Sequence, residues 1–260
     1  LDQILERLAV YMENRQALQQ KVWQAFIYPI VVSVFAIIIV VILMAYVVPQ
    51  VTRVFINTGQ ELPWLTKTLI TISDIITTGG LWWPVLFVGL FFAIRTALAQ
   101  HNIKLAWHKL LLKMPITSRL VRGVNAERLA NTLGILTASG IPLLNAMQSA
   151  VQVVTNLPMR AAVDNALNQI REGGSLSRAL GQAKLFPPLV IHLIASGESS
   201  GKLDMMLTRA AEAQSRELEN WVKTFTSLLE PLLIVVMGVV VLLIVMAILL
   251  PIFQMNQLIR

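Results

Sequence analysis

The sequence predicts an all-α, polytopic membrane protein with three transmembrane helices and a cytoplasmic antiparallel bundle of six or seven helices. Three observations predict it. The 260 residues are 56% hydrophobic and 13% charged, with a mean hydropathy of +0.68, whereas soluble domains carry about a quarter charged residues. Apolar runs stand at 29–48, 81–99 and 232–250, and about 20 such residues cross a bilayer. Elsewhere no alternating strand pattern occurs, and Pro, Gly and Ser fall where helices start and stop.

Two of the runs are copies. The stretch 21–49, KVWQAFIYPIVVSVFAIIIVVILMAYVVP, returns 202 residues later, setting Lys21, Pro29 and Pro49 over Lys223, Pro231 and Pro251 with no gap. LDQILERLA at 1–9 lies over LDMMLTRAA at 203–211 at the same offset. The register of charges and prolines carries the case, since apolar runs share Val and Ile by composition alone. The plan is a duplicated module, a helix pack leading into a membrane helix. Residues 1–27 are then the C-terminal helix of a first, mostly absent cytoplasmic domain, and about a hundred residues equivalent to 103–202 are expected before Leu1. Tyr28 and Glu230 hold equivalent places before the entry prolines Pro29 and Pro231, so the copies differ where bundle meets membrane.

In chain order, Leu1, Leu5, Leu8 and Met12 recur at helical spacing, with Asp2 and Glu6 in the first turn, where the helix dipole favours anions. Transmembrane helix 1 covers 28–49. Pro29 removes a backbone donor, which membrane helices tolerate near their ends; Pro49 marks the exit. Residues 50–80 form a loop in which Arg53 and Lys67 balance Glu61 and Asp74. Within it, a turn at Pro63 precedes an amphipathic helix over 65–76, with Trp64, Trp82 and Trp83 suited to the interfacial belt and Gly79 and Gly80 as terminators. Transmembrane helix 2 covers 81–99, with Arg95 near its end. The second cytoplasmic domain covers 100–229. There Pro115 breaks a basic helix, a long helix reaches Ser139 with Leu129, Leu133 and Leu136 on one face, Gly140 stops it and Pro142 starts the next. Pro158 opens a further helix closed by Gly173 and Gly174, Ser175 caps a short one, and Pro187 begins another ending at Ser196. GESSG, with Gly197, Glu198 and Gly201, turns the chain, and Leu203 begins the helix that enters the membrane. Transmembrane helix 3 covers 230–251, and 252–260 is a tail on the far side of the membrane.

Charge sets the orientation. The net charge is +7, but in so apolar a chain Lys and Arg act as an orientation signal, so nucleic acid is not the expected partner. Lys104, Lys109, Lys113, Arg119 and Arg122 follow the second run, with no acidic residue before Glu127. This places 101–227 in the cytoplasm and the balanced loop outside. The basic stripe is expected to face anionic membrane lipids or an acidic partner, with Arg119 and Arg122 as contacts.

The residue inventory argues against catalysis, a cofactor or a metal. There is no cysteine, and His101, His108 and His192 form no ligand pattern. GESSGKL resembles a phosphate loop but is one residue short, and Leu203 stands where Ser or Thr must meet magnesium. A helix-to-helix turn explains it. Glu230 is read as a helix-end carboxylate bonded to a neighbour or as a functional contact. No carboxylate lies deep in a span and no broken helix is expected, which argues against a permease or channel. An intramembrane protease or ATPase lacks its motifs.

KVWQAFIYP at 21–29 with VVP ending at 49, ELPWLT at 61–66, ILTASGIPLLNAM at 135–147, FPPLVIHLIASGESSGKLDMML at 186–207 and LLEPLLIVVMGVVV at 228–241 together resemble the inner-membrane platform proteins of bacterial type II secretion and type IV pilus machines. TGQELP and the LEP-then-MG pattern look more like the secretion branch. The resemblance implies two related cytoplasmic helical domains and three spans, the first domain lying before Leu1. It implies a non-enzymatic protein of the inner membrane, without cofactor, that links a cytoplasmic secretion ATPase to assembly of a pseudopilus. The implied partners are that ATPase, other inner-membrane platform components, pseudopilin subunits and further copies of the chain in a homo-oligomer. The type IV pilus platform is the alternative within the resemblance.

Overall fold

The computed structural model describes residues 2–50, 64–79 and 82–258. The expected turn at Pro63, the charges Arg53 and Glu61 and the terminator Gly80 lie outside the described residues. Among the described residues every element is helical.

Helix α1 (Asp2–Ile42) runs through Pro29 without a break. It passes into a π-helical turn, Leu43–Val47, where the Val48 amide reaches back to the Leu43 carbonyl. Helix α2 (Trp64–Gly79) contains the expected amphipathic stretch, and α3 (Trp82–Ala99) is the second apolar run. Then come α4 (His101–Lys113), α5 (Pro115–Ala138), α6 (Leu143–Val153), α7 (Leu157–Arg171), α8 (Leu176–Gln182) and α9 (Pro188–Ser200). Helix α10 (Leu203–Leu258) takes the chain through Pro231 and past Pro251.

The punctuation follows backbone chemistry. Pro115 and Pro158 sit in first helical turns, where a missing amide costs nothing. Gly140 adopts φ +78° between α5 and α6, and Pro142 stands just before α6. The turn after α9 is shorter than expected: Gly197, Glu198, Ser199 and Ser200 are helical, and Gly201 alone reverses the chain at φ +67°. The Gly201 and Lys202 amides both return to the Gly197 carbonyl, satisfying the helix end.

The chain divides into two compact units. One comprises Leu1–Val22 and Ile94–Lys223. Its core gathers Leu129 and Leu133 of α5, Met147 of α6, Met159 of α7, Leu176 of α8, Ile194 of α9 and Leu207 of α10, all essentially inaccessible. Leu136, expected on the same face as Leu129 and Leu133, is partly buried against it. Helix α5 approaches α10 closely through two glycines. A Cβ on Gly134 would lie 3.1 Å from the Thr208 backbone nitrogen, and one on Gly123 would lie 2.8 Å from Leu218.

Asn125, buried on α5, ties the loop after α6 in place. Its Oδ1 accepts from the Thr155 amide at 2.8 Å and the Asn156 amide at 3.1 Å, while its Nδ2 donates to the Val121 carbonyl at 2.7 Å. Asn156 caps α7 by accepting from the Met159 amide and donates to the His108 carbonyl. The Leu157 amide donates to His108 Nδ1 at 3.0 Å. His108 is thereby an acceptor and neutral, and burial, with Lys104 nearby, holds its pKa below the ordinary 6.5.

The other unit comprises Trp23–Ala93 and Thr224–Arg260. Its small core packs Leu69 of α2 against Met44 and Val48 of the first copy and Ile244 and Ala247 of the second. Most other large apolar residues of this unit face outward, including Phe35 at 62%, Phe87 at 63% and Val235 at 62% exposure. Outward apolar surface on this scale belongs against lipid. Two helical stretches, Trp23–Gln50 and Leu203–Leu250, are long and apolar enough to cross a membrane, and a third candidate lies in α3 with α4, bent by 99° between them.

Candidate functional site

The prolines ending the two repeated runs each remove one amide, and each removal leaves a carbonyl without its helical donor. In the π register, set where Val48 bonds Leu43, Pro49 faces the Met44 carbonyl five residues back. In the α register of the second copy, Pro251 faces the Ala247 carbonyl four residues back. Both carbonyls are taken by hydroxyls of α2. Ser73 Oγ donates to the Met44 carbonyl at 2.5 Å and Thr66 Oγ1 to the Ala247 carbonyl at 2.7 Å. Ser73 and Thr66 are nearly inaccessible, and seven residues put both on the face of α2 that carries Leu69. Ala247 is the repeat equivalent of Ala45, the neighbour of Met44. One short helix thus satisfies the carbonyls left open before the exit prolines of both copies. Sequence reasoning placed the helix but missed these hydroxyls.

At the other end of the same runs, the equivalent residues Tyr28 and Glu230 meet. The Tyr28 hydroxyl lies against the Glu230 carboxylate. Both are exposed, Pro29 is buried inside α1 and Pro231 is exposed on α10.

The remaining candidates lie in the other unit. Glu198, expected within a turn, lies in α9 and holds the N-terminus of α8. Its carboxylate accepts from the Ser175 hydroxyl at 2.8 Å, the Leu176 amide at 2.5 Å, and the amide and hydroxyl of Ser177. Burial pushes the Glu198 carboxyl up, but these hydrogen bonds outweigh it and hold it below its ordinary range. Ser175 also accepts from the Arg178 amide as the expected cap. Gly197, one residue earlier, lets α9 approach α10: a Cβ there would lie 3.0 Å from Leu203 Cα and 2.9 Å from Met206 Cβ.

Arg119 and Arg122 part company. Arg119 is exposed, whereas Arg122 is half-buried and donates to the carbonyls of Lys184 at 3.3 Å and Leu112 at 3.5 Å. Gly140 and Pro142 form the α5–α6 corner without side-chain chemistry. Among the described residues no group of side chains could hold a metal ion.

The chain matches the model of the family described as type II secretion system (T2SS), protein F, over residues 1–49 and 129–251. It is 45% identical over 258 residues to type II secretion system protein F of Vibrio cholerae, covering 99% of this chain and 64% of that protein. It is 44% identical over 259 residues to its counterpart in Pseudomonas aeruginosa, covering 100% of this chain and 64% of that protein. Type IV pilus assembly protein TapC of Aeromonas hydrophila is 36% identical over 263 residues, with 100% of this chain and 63% of that protein covered. The chain therefore spans a little under two thirds of the length of these relatives.

Proposed function

We propose that this chain, which belongs to the type II secretion system protein F family, is a non-enzymatic assembly platform of the bacterial inner membrane. It couples a cytoplasmic secretion ATPase to pseudopilus assembly and protein export. The observation that carries the coupling is α10, 56 residues of helix from Leu203 to Leu258 with no break at Glu230 and Pro231. At 1.5 Å per residue it is about 84 Å long, enough to join a bundle to the far side of a bilayer. A helix of that kind transmits rotation or tilt between its ends.

The topology that suits this role has spans at 28–49, 81–99 and 230–251, a second cytoplasmic domain at 100–229, and periplasmic segments at 50–80 and 252–260. The excess of Lys and Arg after 99, against the balanced loop, supports it. Residues 1–27 belong to a first cytoplasmic domain. Other platform components, pseudopilin subunits, lipids and further copies of the chain are the partners this role requires. Tyr28, Pro29, Glu230 and Pro231 form the cytoplasmic joint of the two copies, Gly140, Pro142, Gly197, Glu198 and Gly201 fix the bundle corners, and Arg119 is the exposed contact. Identity of 44–45% to the secretion proteins against 36% to TapC favours secretion over pilus assembly.

A strain lacking the gene tests this reading. Secreted substrates should accumulate in the periplasm and pseudopili should fail to form, with recovery on complementation. Normal export and pseudopili in the deletion strain would overturn it.

A further inference from the structure

The outer face of α4 is built for a lipid surface rather than for water. Ile103, Trp107 and Leu110 recur at helical spacing and are 40%, 46% and 47% exposed, and Met114, just past the helix end, is 45% exposed. The opposite face buries Leu112, with Leu105 and His108 half-buried. Exposed Lys104, Lys109 and Lys113 flank the apolar stripe, and no acidic residue occurs between Asp74 and Glu127. Direction supplies the second argument. The chain leaves α3, the second apolar run, through Gln100 and bends by 99° into α4. A helix set at right angles to a span, one residue beyond its end, lies in the plane of the membrane surface.

We propose that α4 is an interfacial anchor, its Ile103–Trp107–Leu110–Met114 stripe buried at the headgroup boundary and its three lysines held by anionic lipid. Helices with an apolar face containing Trp and basic flanks bind this way, more strongly to anionic leaflets. Arg122 takes no part, because the Lys184 and Leu112 carbonyls hold its guanidinium. The anchor fixes the start of the bundle against the bilayer.

The inference rests on α3 being a span, and one experiment separates the two. The chain has no cysteine, so single variants I103C, W107C, L110C, K104C and K109C, with V88C and F91C as span controls, each take one nitroxide label. The full chain is placed in nanodiscs of phosphatidylcholine alone or with phosphatidylglycerol, and each label's accessibility to oxygen and to a water-soluble nickel chelate is read. Labels at 103, 107 and 110 should favour oxygen, those at 104 and 109 the chelate, and phosphatidylglycerol should shift the first three deeper. K104E/K109E/K113E should abolish that shift. Chelate access at 103, 107 and 110 alongside oxygen access at 88 and 91 would overturn the anchor and leave the span standing. Chelate access at 88 and 91 would overturn the span as well. Shielding of 103, 107 and 110 from both reagents would assign the stripe to a protein partner and overturn the proposal, as would a depth indifferent to phosphatidylglycerol.

Discussion

Ser73 donates its hydroxyl to the carbonyl of Met44 at 2.5 Å, the acceptor that Pro49 leaves without an amide. If the hydroxyl is there to replace the amide, S73A should destabilise the chain in nanodiscs by about 1 kcal/mol. The diagnostic result is a double-mutant cycle: P49A restores an amide, so S73A should cost markedly less in that background. The same holds for T66A with P251A. Equal costs in both backgrounds would show that the hydroxyls serve some other purpose.

Glu198 should be required for the α8 corner. E198A removes a carboxylate with four donors, and bonds to a charged acceptor are worth enough that a loss of about 2 kcal/mol is expected. E198Q should do little better, because its amide nitrogen must face either the Leu176 amide or the Ser177 donors. Thermal unfolding of the two variants checks this, and recovery by E198Q to wild-type stability would contradict it.

The bundle should lose stability with acid in two stages. His108 has its pKa held below 6.5, so its contribution is complete above that value and falls as pH drops through the folded pKa, the unfolded chain binding the proton first. Glu198 is depressed below 4.5, so its contribution is present above 4.5 and is lost as pH falls through its lower folded value. Unfolding curves across this range should show H108A removing the upper stage and E198A the lower. H108N, whose Oδ1 offers the Leu157 amide an acceptor, should remove the pH dependence with less loss of stability than H108A.

Arg119 and Arg122 should respond differently to charge reversal. R122E places a carboxylate against two carbonyls and should cost about 2–3 kcal/mol, visible as reduced accumulation of the chain. R119E lies on the surface and should leave stability within about 0.5 kcal/mol of wild type. Export by the R119E strain then reads partner contact without a folding effect.

G134A and G197A should each destabilise by about 1–3 kcal/mol, because the added methyl meets backbone as well as side chain: the Thr208 nitrogen beside its hydroxyl in the first, and Leu203 Cα beside Met206 Cβ in the second. G140A should be milder: space is open there, and only the positive φ opposes it, at about 1 kcal/mol.

What was legible in the sequence is what depends on local backbone chemistry. Pro115, Pro158, Ser175 and the Gly140–Pro142 pair mark helix ends because each acts within a turn of itself. The repeat was legible because charges and prolines kept their register. The role of Glu198 was hidden because its partners lie 21 to 23 residues away along the chain, and a Glu in GESSG suggests a turn more readily than a distant cap. The π turn and the roles of Thr66 and Ser73 were hidden for a related reason: a hydroxyl in an amphipathic helix carries no sign of which carbonyl it will meet. Gly123 and Gly134 did leave a signal, eleven residues apart and so on one helix face, but a pair of glycines within a helix is easily taken as neutral.

If α10 carries motion from the bundle into the membrane, breaking its continuity should stop export. Three glycines inserted between Lys223 and Thr224 would loosen the helix at about 1 kcal/mol per residue while leaving the bundle core and the apolar run intact. Export of a secreted substrate is then measured at matched levels of membrane-inserted chain. The insertion should abolish export, and three alanines at the same place, which keep a helix, should retain more of it. Wild-type export from the glycine variant would contradict that coupling.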